Sequence, residues 1–287
     1  MSNTLLDIKN HVVDLQEHGY TIVHDVISSS EIETTKRVID ETLETEQKIA
    51  NKVGVQTDDL RVAFEVQGKH PHFYGFLFRN PKPLQVARRL LGDDVKCYNL
   101  TIRNPMPTGS KDTSKMGGQM HVDFDYFTVS PFMGGSHYMM AIQSAWCITG
   151  FTKETGGTWI WPGSHLSLKA PFHDSKTVPP GHVIAEAPAG SVIMWDSALW
   201  HTGGINYGDS PRYTVISYFQ RRWIKGYNDA HYRIPAKART EMTKDERVLF
   251  DVEPRVPPNT HIKALTSEQR ASLTNDQKAV LGMPITE

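Results

Sequence analysis

Gly118-Gln119-Met120-His121-Val122-Asp123-Phe124-Asp125-Tyr126 sets an imidazole and a carboxylate two residues apart within an apolar, aromatic run. In an extended chain residues i and i+2 point to one face, so His121 and Asp123 present a nitrogen and an oxygen donor to the same point while Val122 turns away. Two donors hold a metal poorly. A third candidate stands in Ser197-Ala198-Leu199-Trp200-His201-Thr202-Gly203-Gly204, where His201 follows the apolar run Val192-Ile193-Met194-Trp195 and precedes a glycine pair. Two histidines and one carboxylate on one side of an ion form the facial triad of non-haem Fe(II) oxygenases, which leaves positions for oxygen and a co-substrate.

A His-x-Asp step alone is common on solvated strand faces, so further residues have to carry the reading. They stand in Tyr207-Gly208-Asp209-Ser210-Pro211-Arg212-Tyr213-Thr214, where a Gly/Asp/Ser/Pro turn reverses the chain and a β-rich run from Arg212 to Gln220 begins. A hairpin there returns Arg212 towards His201. Arg212 and Thr214 share a strand face, so a guanidinium fork and a hydroxyl point together into the site, as bidentate capture of a carboxylate requires.

With these elements in order, the chain resembles the phytanoyl-CoA dioxygenase-like (PhyH) branch of the Fe(II)/2-oxoglutarate oxygenases. The resemblance rests on His121-x-Asp123, on His201, on Arg212 eleven residues beyond it, and on Gly156-Gly157-Thr158-Trp159-Ile160-Trp161-Pro162-Gly163-Ser164-His165. That segment is similar to the family's Asn-Gly-x-Leu…Pro-Gly-Ser-His signature, with Gly156 in place of Asn and Trp159 in place of Leu. Glu17-His18-Gly19-Tyr20-Thr21-Ile22-Val23 resembles the family's opening strand, so the likeness runs from about residue 14 to about 222 and leaves the last sixty-odd residues outside it.

The resemblance implies a mainly β fold with flanking helices, a double-stranded β-helix of the cupin-like jelly-roll kind. It implies Fe(II) at His121, Asp123 and His201, 2-oxoglutarate held through Arg212 and Thr214, and O2 at the remaining position. The reaction implied is oxidation of a C–H bond of a small molecule, with hydroxylation the leading outcome and succinate and CO2 released. Asn99, on the strand before the ligands, and Gln143, on the strand before the signature segment, fall where family members touch the oxoacid. Read as residues alone, both are ordinary strand positions. Asp123 stands where related halogenases carry a small residue, which disfavours halogenation. Two other readings keep the barrel: a cupin-like metalloenzyme that does not use 2-oxoglutarate and has no need of Arg212 and Thr214, and a catalytically silent binding protein. A coenzyme A thioester would want a basic groove, and Lys111, Lys115 and Lys153 are too scattered to form one. A secondary metabolite or an amino-acid-derived compound is the expected substrate.

A chain of 287 residues, 39% apolar, can bury one sizeable core, and β barrels of this length are commonly single domains. One catalytic domain over 1–287 is expected, with its core at about 14–222 and an extension at 223–287. A net charge of −1 gives no reason to expect nucleic acid or an anionic membrane as partner. Cys97 and Cys147 are the only cysteines, the N-terminal residues lack a basic flank and apolar h-region, and no apolar run approaches ~18 residues. A reducing, cytoplasmic setting is the expectation.

Taken in order, Leu5 to Gln16 has apolar residues at helical spacing, and Gly19 ends that helix before a strand from Tyr20 to Val23. Ser28-x-x-Glu31 is a capping-box pattern opening an amphipathic helix that runs through Ile32, Val38, Ile39 and Leu43 to about Ile49. His70-Pro71-His72, with a proline between its histidines, reads as a packing element rather than a ligand pair. Pro83 to Leu91 reads as a helix stopped by Gly92, and Val95 to Ile102 as a strand. The polar, breaker-rich stretch from Arg103 to Gly118 leads into the ligands and reads as a lid. Phe127 to Ser136, with Tyr126, reads as a wall of the substrate pocket. His137 reads as a satisfied loop histidine, Tyr138 to Ile148 as a buried strand, and His165 as a residue that fixes its loop. Strands around Val183 and Val192 bring the total to eight or so short ones, the pattern of a β-sandwich or barrel. Beyond Gln220, Thr243-x-x-Glu246, Thr266-x-x-Gln269 and Thr274-x-x-Gln277 mark the starts of short helices. Covering the barrel, joining a homodimer and closing over substrate are all open to this extension.

Overall fold

The fold is built on alternation. Along the strands, side chains of one parity are apolar and meet helices, while those of the other parity face a second, smaller sheet. The computed structural model describes residues 2–55, 61–109, 112, 115–124, 137–167, 169–171, 178–225, 233–252, 265–280 and 283. In chain order its elements are α1 (Ser2–Glu17), β1 (Tyr20–Val23), α2 (Ser29–Lys52), β2 (Val62–Ala63), α3 (Pro71–Tyr74), α4 (Phe76–Arg79) and α5 (Lys82–Leu91). There follow β3 (Lys96–Arg103), β4 (Ala141–Cys147), β5 (Thr158–Ile160), β6 (Val183–Ala185), β7 (Val192–Asp196), β8 (His201–Thr202) and β9 (Thr214–Gln220). The chain closes with α6 (Ala236–Glu241), α7 (Lys244–Leu249), α8 (Ser267–Ala271) and α9 (Asn275–Val280).

The large sheet has the order β1-β7-β4-β9-β3-β2 and the small one β6-β5-β8, and every pairing of named strands is antiparallel. On the outer face of the large sheet Leu100, Ile102, Ile142, Trp146, Val192, Met194, Val215 and Phe219 pack against Leu15 of α1, Val38 and Ile39 of α2 and Leu84 of α5. On its inner face Ala145, Cys147, Ile193, Trp195 and Ile216 meet Ile160 and Ala185 of the small sheet. The result is three layers, helices on sheet on sheet, with the barrel-like interior between the sheets.

Local signals account for most element ends. Gly19 terminates α1 at φ +80, and a Cβ there would lie 2.6 Å from the His165 ring, so the close approach needs glycine as much as the turn does. Ser28 caps α2 by accepting the Glu31 N–H at 3.3 Å. Only half of the expected box forms, because the Glu31 carboxylate accepts two hydrogen bonds from Arg79 instead. His70 Nδ1 accepts the His72 N–H and caps α3, while His72 packs among Thr35, Arg79 and Glu31, so this pair is structural as read. All three threonine capping boxes of the C-terminal region form, at 243/246, 266/269 and 274/277.

Two expectations need correction. The turn after His201 is not a hairpin, since β8 belongs to the small sheet and β9 lies between β4 and β3 in the large one. The Gly/Asp/Ser/Pro turn therefore carries the chain across from one sheet to the other, and β9 begins at Thr214, two residues after Arg212. Strand β4 begins at Ala141 rather than Tyr138. Of the roles left open for the C-terminal extension, its described residues show packing on the core. Ile234, Ala238, Met242, Leu249 and Phe250 join the main apolar cluster, and Asp251 accepts hydrogen bonds from Lys96 and Arg222.

The described parts of the loop read as a lid are tied down. The Thr108 N–H donates to Asn206 O, the Arg212 N–H to Pro105 O and the Gly117 N–H to Gly203 O. Residues 110, 111, 113 and 114 lie outside the described residues, as do 125–136, on which the pocket-wall expectation for Tyr126 and Phe127 to Ser136 falls. Among the described residues, no helix is long and apolar enough to cross a membrane.

Candidate active site

His121 and His201 face each other across an isolated antiparallel bridge, each backbone N–H donating to the other's carbonyl, at 2.9 and 3.0 Å. Directly opposed residues present side chains to the same face, and the two rings lie 4.3 Å apart between centroids. Each ring is fixed in the same way. Nδ1 of His121 bonds the Gln119 carbonyl and Nδ1 of His201 the Leu199 carbonyl, both at 2.9 Å. A carbonyl only accepts, so Nδ1 carries the proton and Nε2 is left for a ligand. Asp123 enters between them, its backbone N–H held by Ser197 O, with Oδ2 3.3 Å from His201 Nε2 and Oδ1 3.7 Å from His121 Nε2.

The three ligand atoms lie within 4.8 Å of one another. Donors at cis positions around one ion, each about 2.1 Å from it, stand roughly 3 Å apart, close to the separations found here. Three electron-pair donors aimed at one point repel unless a cation or a proton lies between them, so the donor set fits a metal.

Charge states are consistent with that. Burial pushes the His121 imidazole below its ordinary value, and the His201 ring adds to the push. Burial works against the Asp123 carboxylate too, but the charge and hydrogen bond of His201 outweigh it and hold the carboxyl low. For His201 itself burial is overcome by Asp123, and its value is raised. A metal and a proton compete for Nε2, so metal binding there is linked to pH.

The second half of the site is a buried cation. Arg212 is 7% exposed, its guanidinium carbon 4.2 Å from the centre of the Phe151 ring. Its Nε and Nη1, and the buried Thr214 hydroxyl, have no hydrogen-bond partner among the described residues. Burial pushes the Arg212 value down to about 10, and burial pushes the neighbouring Cys147 thiol up to about 12, so that thiol supplies no countercharge. An unpaired buried ion costs several kcal/mol. A site that carries one is shaped for an anion that arrives from outside.

Most of the expected residues converge. His121, Asp123, Gln143, His201 and Arg212 line one cavity of about 150 Å³. The strand register explains Gln143: Trp195, Gln143, Tyr218 and Asn99 form a row across β7, β4, β9 and β3 on the inner face. Gln143 hydrogen-bonds the Asp123 carboxylate, and its buried Oε1 has no partner among the described residues. Asn99 is two strands further along the row, beyond Tyr218. It lines an adjoining cavity and its Oδ1 accepts the Glu65 N–H at 3.1 Å. A larger cleft of about 450 Å³ lies elsewhere, between Arg88, Asp93 and Lys244, and holds none of the ligands.

Sequence reasoning missed several supports. The Trp195 indole N–H donates to Asp123 Oδ2 at 3.1 Å. Ser164 Oγ accepts the backbone N–H of Trp200, and the Trp161 N–H donates to Trp200 O, so the Pro162-Gly163-Ser164-His165 segment grips the residue before His201. His165 itself bonds Gln16 O, the loop-fixing role expected of it, and His137 Nε2 bonds Asp196 Oδ2 at 2.5 Å. Glycine pairs 156/157 and 203/204 meet backbone to backbone, and a Cβ on Gly156 would lie 2.7 Å from Gly204 O. Gly156 has φ +81, in the left-handed region that Asn also enters, so the departure from the Asn-Gly pattern keeps the same turn.

Two imidazoles, a carboxylate and an orphaned guanidinium between two antiparallel sheets define the class of a mononuclear non-haem metal oxygenase. Comparison with known proteins agrees with that class. The family model described as phytanoyl-CoA dioxygenase (PhyH) matches residues 15–214, and the chain belongs to this family of Fe(II)/2-oxoglutarate-dependent oxygenases. It is therefore an enzyme of the dioxygenase class. It is 25% identical over 214 residues to the uncharacterized protein Rv1501 of Mycobacterium tuberculosis, covering 72% of this chain and 73% of that one. It is 23% identical over 250 residues to dioxygenase af480 of Aspergillus fumigatus, covering 85% and 77%. Among solved structures it is similar in fold to the epimerase SnoN in complex with Fe3+, alpha ketoglutarate and nogalamycin RO, with TM-score 0.58, 16% identity and 76% and 84% of the two chains covered. EctD from S. alaskensis with bound Fe gives TM-score 0.55, 20% identity and 74% and 76% covered.

Proposed function

We propose that this enzyme is an Fe(II)/2-oxoglutarate-dependent dioxygenase that oxidises, most simply by hydroxylation, a C–H bond of a small molecule in secondary or amino-acid-derived metabolism. The observation that carries the reading is the pairing of a ready His121/Asp123/His201 donor set with the unpartnered Arg212 and Thr214. A metalloenzyme without an anionic co-substrate has no use for a buried, unpaired guanidinium.

The fold supports this reading. Counting β segments from β3, with the His121 bridge as the second, the eight run 1-8-3-6 in one sheet (β3, β9, β4, β7) and 2-7-4-5 in the other (His121, β8, β5, β6). That alternation of sheets is the order of a double-stranded β-helix, the jelly-roll topology. The chain is read as a single domain, with its C-terminal helices part of the outer layer.

Iron bound at the triad, with 2-oxoglutarate as co-substrate, supplies the oxidising chemistry: one atom of O2 ends in succinate as CO2 leaves, and the other goes to the substrate. The protein's part is positioning and exclusion of water. Arg212 pairs with the distal carboxylate of the oxoacid and Thr214 donates to it, which relieves both orphaned groups. Phe151 covers the guanidinium and keeps that pair dry, where a charge-assisted bond is strongest. Gln143 holds Asp123 with one end of its amide and turns its unpartnered Oε1 to the cavity. Asn99 lies too far along the row to share that role and is assigned to the outer cavity.

Arg212→Ala removes the anchor and no metal ligand. It is expected to raise the 2-oxoglutarate needed for half-maximal succinate release by roughly 10–100-fold, with bound iron per chain unchanged. Unaltered 2-oxoglutarate dependence in that variant rejects the assignment.

A further inference from the structure

Next to the ligand cavity lies a second one of about 240 Å³ that shares Arg103, Asp123, Gln143 and Ile216 with it, so the two form one space with Asp123 at the junction. The outer part is aromatic. Phe64, 52% exposed, stands at its rim, and Tyr98 and Tyr218 meet edge to face inside it, 6.4 Å between centroids.

This wall is held in place at some cost. Glu65, next to Phe64, has φ +58, a left-handed conformation that a glutamate seldom adopts. Its backbone N–H is bound by Asn99, and its carboxylate accepts from Gln67 and from Arg233, both at 2.6 Å. Arg233 also donates to Tyr98 O and lies over the Tyr98 ring at 4.4 Å. Such backbone strain persists where the surroundings over-determine it, and it concentrates at ligand clamps.

Arg103 is the cation that faces the shared space. It is exposed, its guanidinium lies 5.8 Å over the Phe64 ring, and its side chain makes no hydrogen bond or ion pair among the described residues. Arg212, by contrast, is buried and lines the inner cavity alone. Two guanidiniums at different depths thus offer two anion sites, and the co-substrate occupies the buried one. Among the described residues Arg103 is the one cation lining the outer cavity, since Arg233 is paired with Glu65, and a single guanidinium suits a singly charged carboxylate.

We propose that the substrate is a small carboxylic acid with a flat apolar body, its carboxylate paired with Arg103 and its body packed between Phe64 and the Tyr98/Tyr218 pair. Asp123 and Gln143 line both cavities, so a molecule held here lies beside the metal-ligand set. The inference rests on the dioxygenase reading above and adds the substrate's chemical class and the residue that selects it.

The test uses the full chain, loaded anaerobically with Fe(II) and saturating 2-oxoglutarate so that Arg212 is occupied, and two probes, 3-phenylpropionate and its neutral amide, followed by calorimetry. The acid is expected to bind roughly tenfold tighter than the amide or better. Arg103→Gln should erase that preference while 2-oxoglutarate affinity stays within about twofold, and Phe64→Ala should weaken both probes alike. Equal affinity of the probes for the unaltered protein, or no binding of the acid, overturns the proposal. So does an Arg103→Gln variant that loses 2-oxoglutarate affinity, because Arg103 would then serve the co-substrate. Failure of the unaltered protein to bind 2-oxoglutarate at all overturns the dioxygenase reading beneath it, and is seen in the loading step before any probe is added.

Discussion

At Asp123 two donors, the Trp195 indole and the Gln143 amide, hold the carboxylate whose Oδ2 lies 3.3 Å from His201 Nε2. Removing the indole N–H frees Oδ2 to rotate away from the metal position, and outer hydrogen bonds of this kind are worth about tenfold in metal affinity. Trp195→Phe, which keeps the ring packing, is therefore expected to weaken Fe(II) binding by about tenfold in an anaerobic titration. An unchanged affinity would mean that Gln143 alone orients the carboxylate. The triad itself was legible in the sequence because a two-residue step on an extended chain has one geometric outcome. Trp195 was not. All five residues of β7 are buried, so apolar content gives no clue to which parity faces the site. Only the register with Gln143 reveals it.

Among the elements, the segment after β5 does the least visible work. Ser164 and Trp161 bond the backbone of Trp200 from both sides and so set the approach of β8 to His121. The motif was readable, but its target was not, because thirty-odd residues separate it from His201 and only the sheet pairing β5 to β8 brings them together. The hairpin expectation failed for a related reason. A turn sequence specifies reversal of direction, not which sheet receives the next strand.

The α2, α3 and α4 contact carries its own pH signature. His72 Nδ1 accepts from Arg79, so its Nε2–H donates to the Thr35 hydroxyl, which in turn donates to Glu31 O. Burial, with Arg79 adding to it, pushes this imidazole from 6.5 down to about 4. The folded form then binds fewer protons than the unfolded one below pH 6.5, so stability is whole above that value and is lost as pH falls towards 4. Between about pH 7.5 and about pH 5 the unfolding free energy from denaturant titration should drop, and His72→Gln should shrink that drop by about 1–2 kcal/mol. An equal drop in both proteins contradicts the assignment.

For the molecule as a whole, three layers divide the labour. The helical layer and the outer face of the large sheet supply the apolar core, and the inner faces of the two sheets supply the chemistry. Composition and strand spacing made the β architecture legible, and the jelly-roll form proposed above came from the resemblance. The C-terminal extension was legible only as helices, because capping boxes mark where a helix starts and say nothing about what it packs on. Its apolar residues fill the main core, and Arg233 reaches the pocket wall. The central claim is that His121, Asp123 and His201 gather one iron, which with Arg212 makes the binding site for 2-oxoglutarate. Anaerobic calorimetry of 2-oxoglutarate with the whole chain, with and without Fe(II), tests it most directly. About one 2-oxoglutarate per chain is expected with Fe(II) present, with affinity collapsing when iron is withheld or when His201 is replaced by Ala; binding indifferent to iron and to His201 would contradict the account.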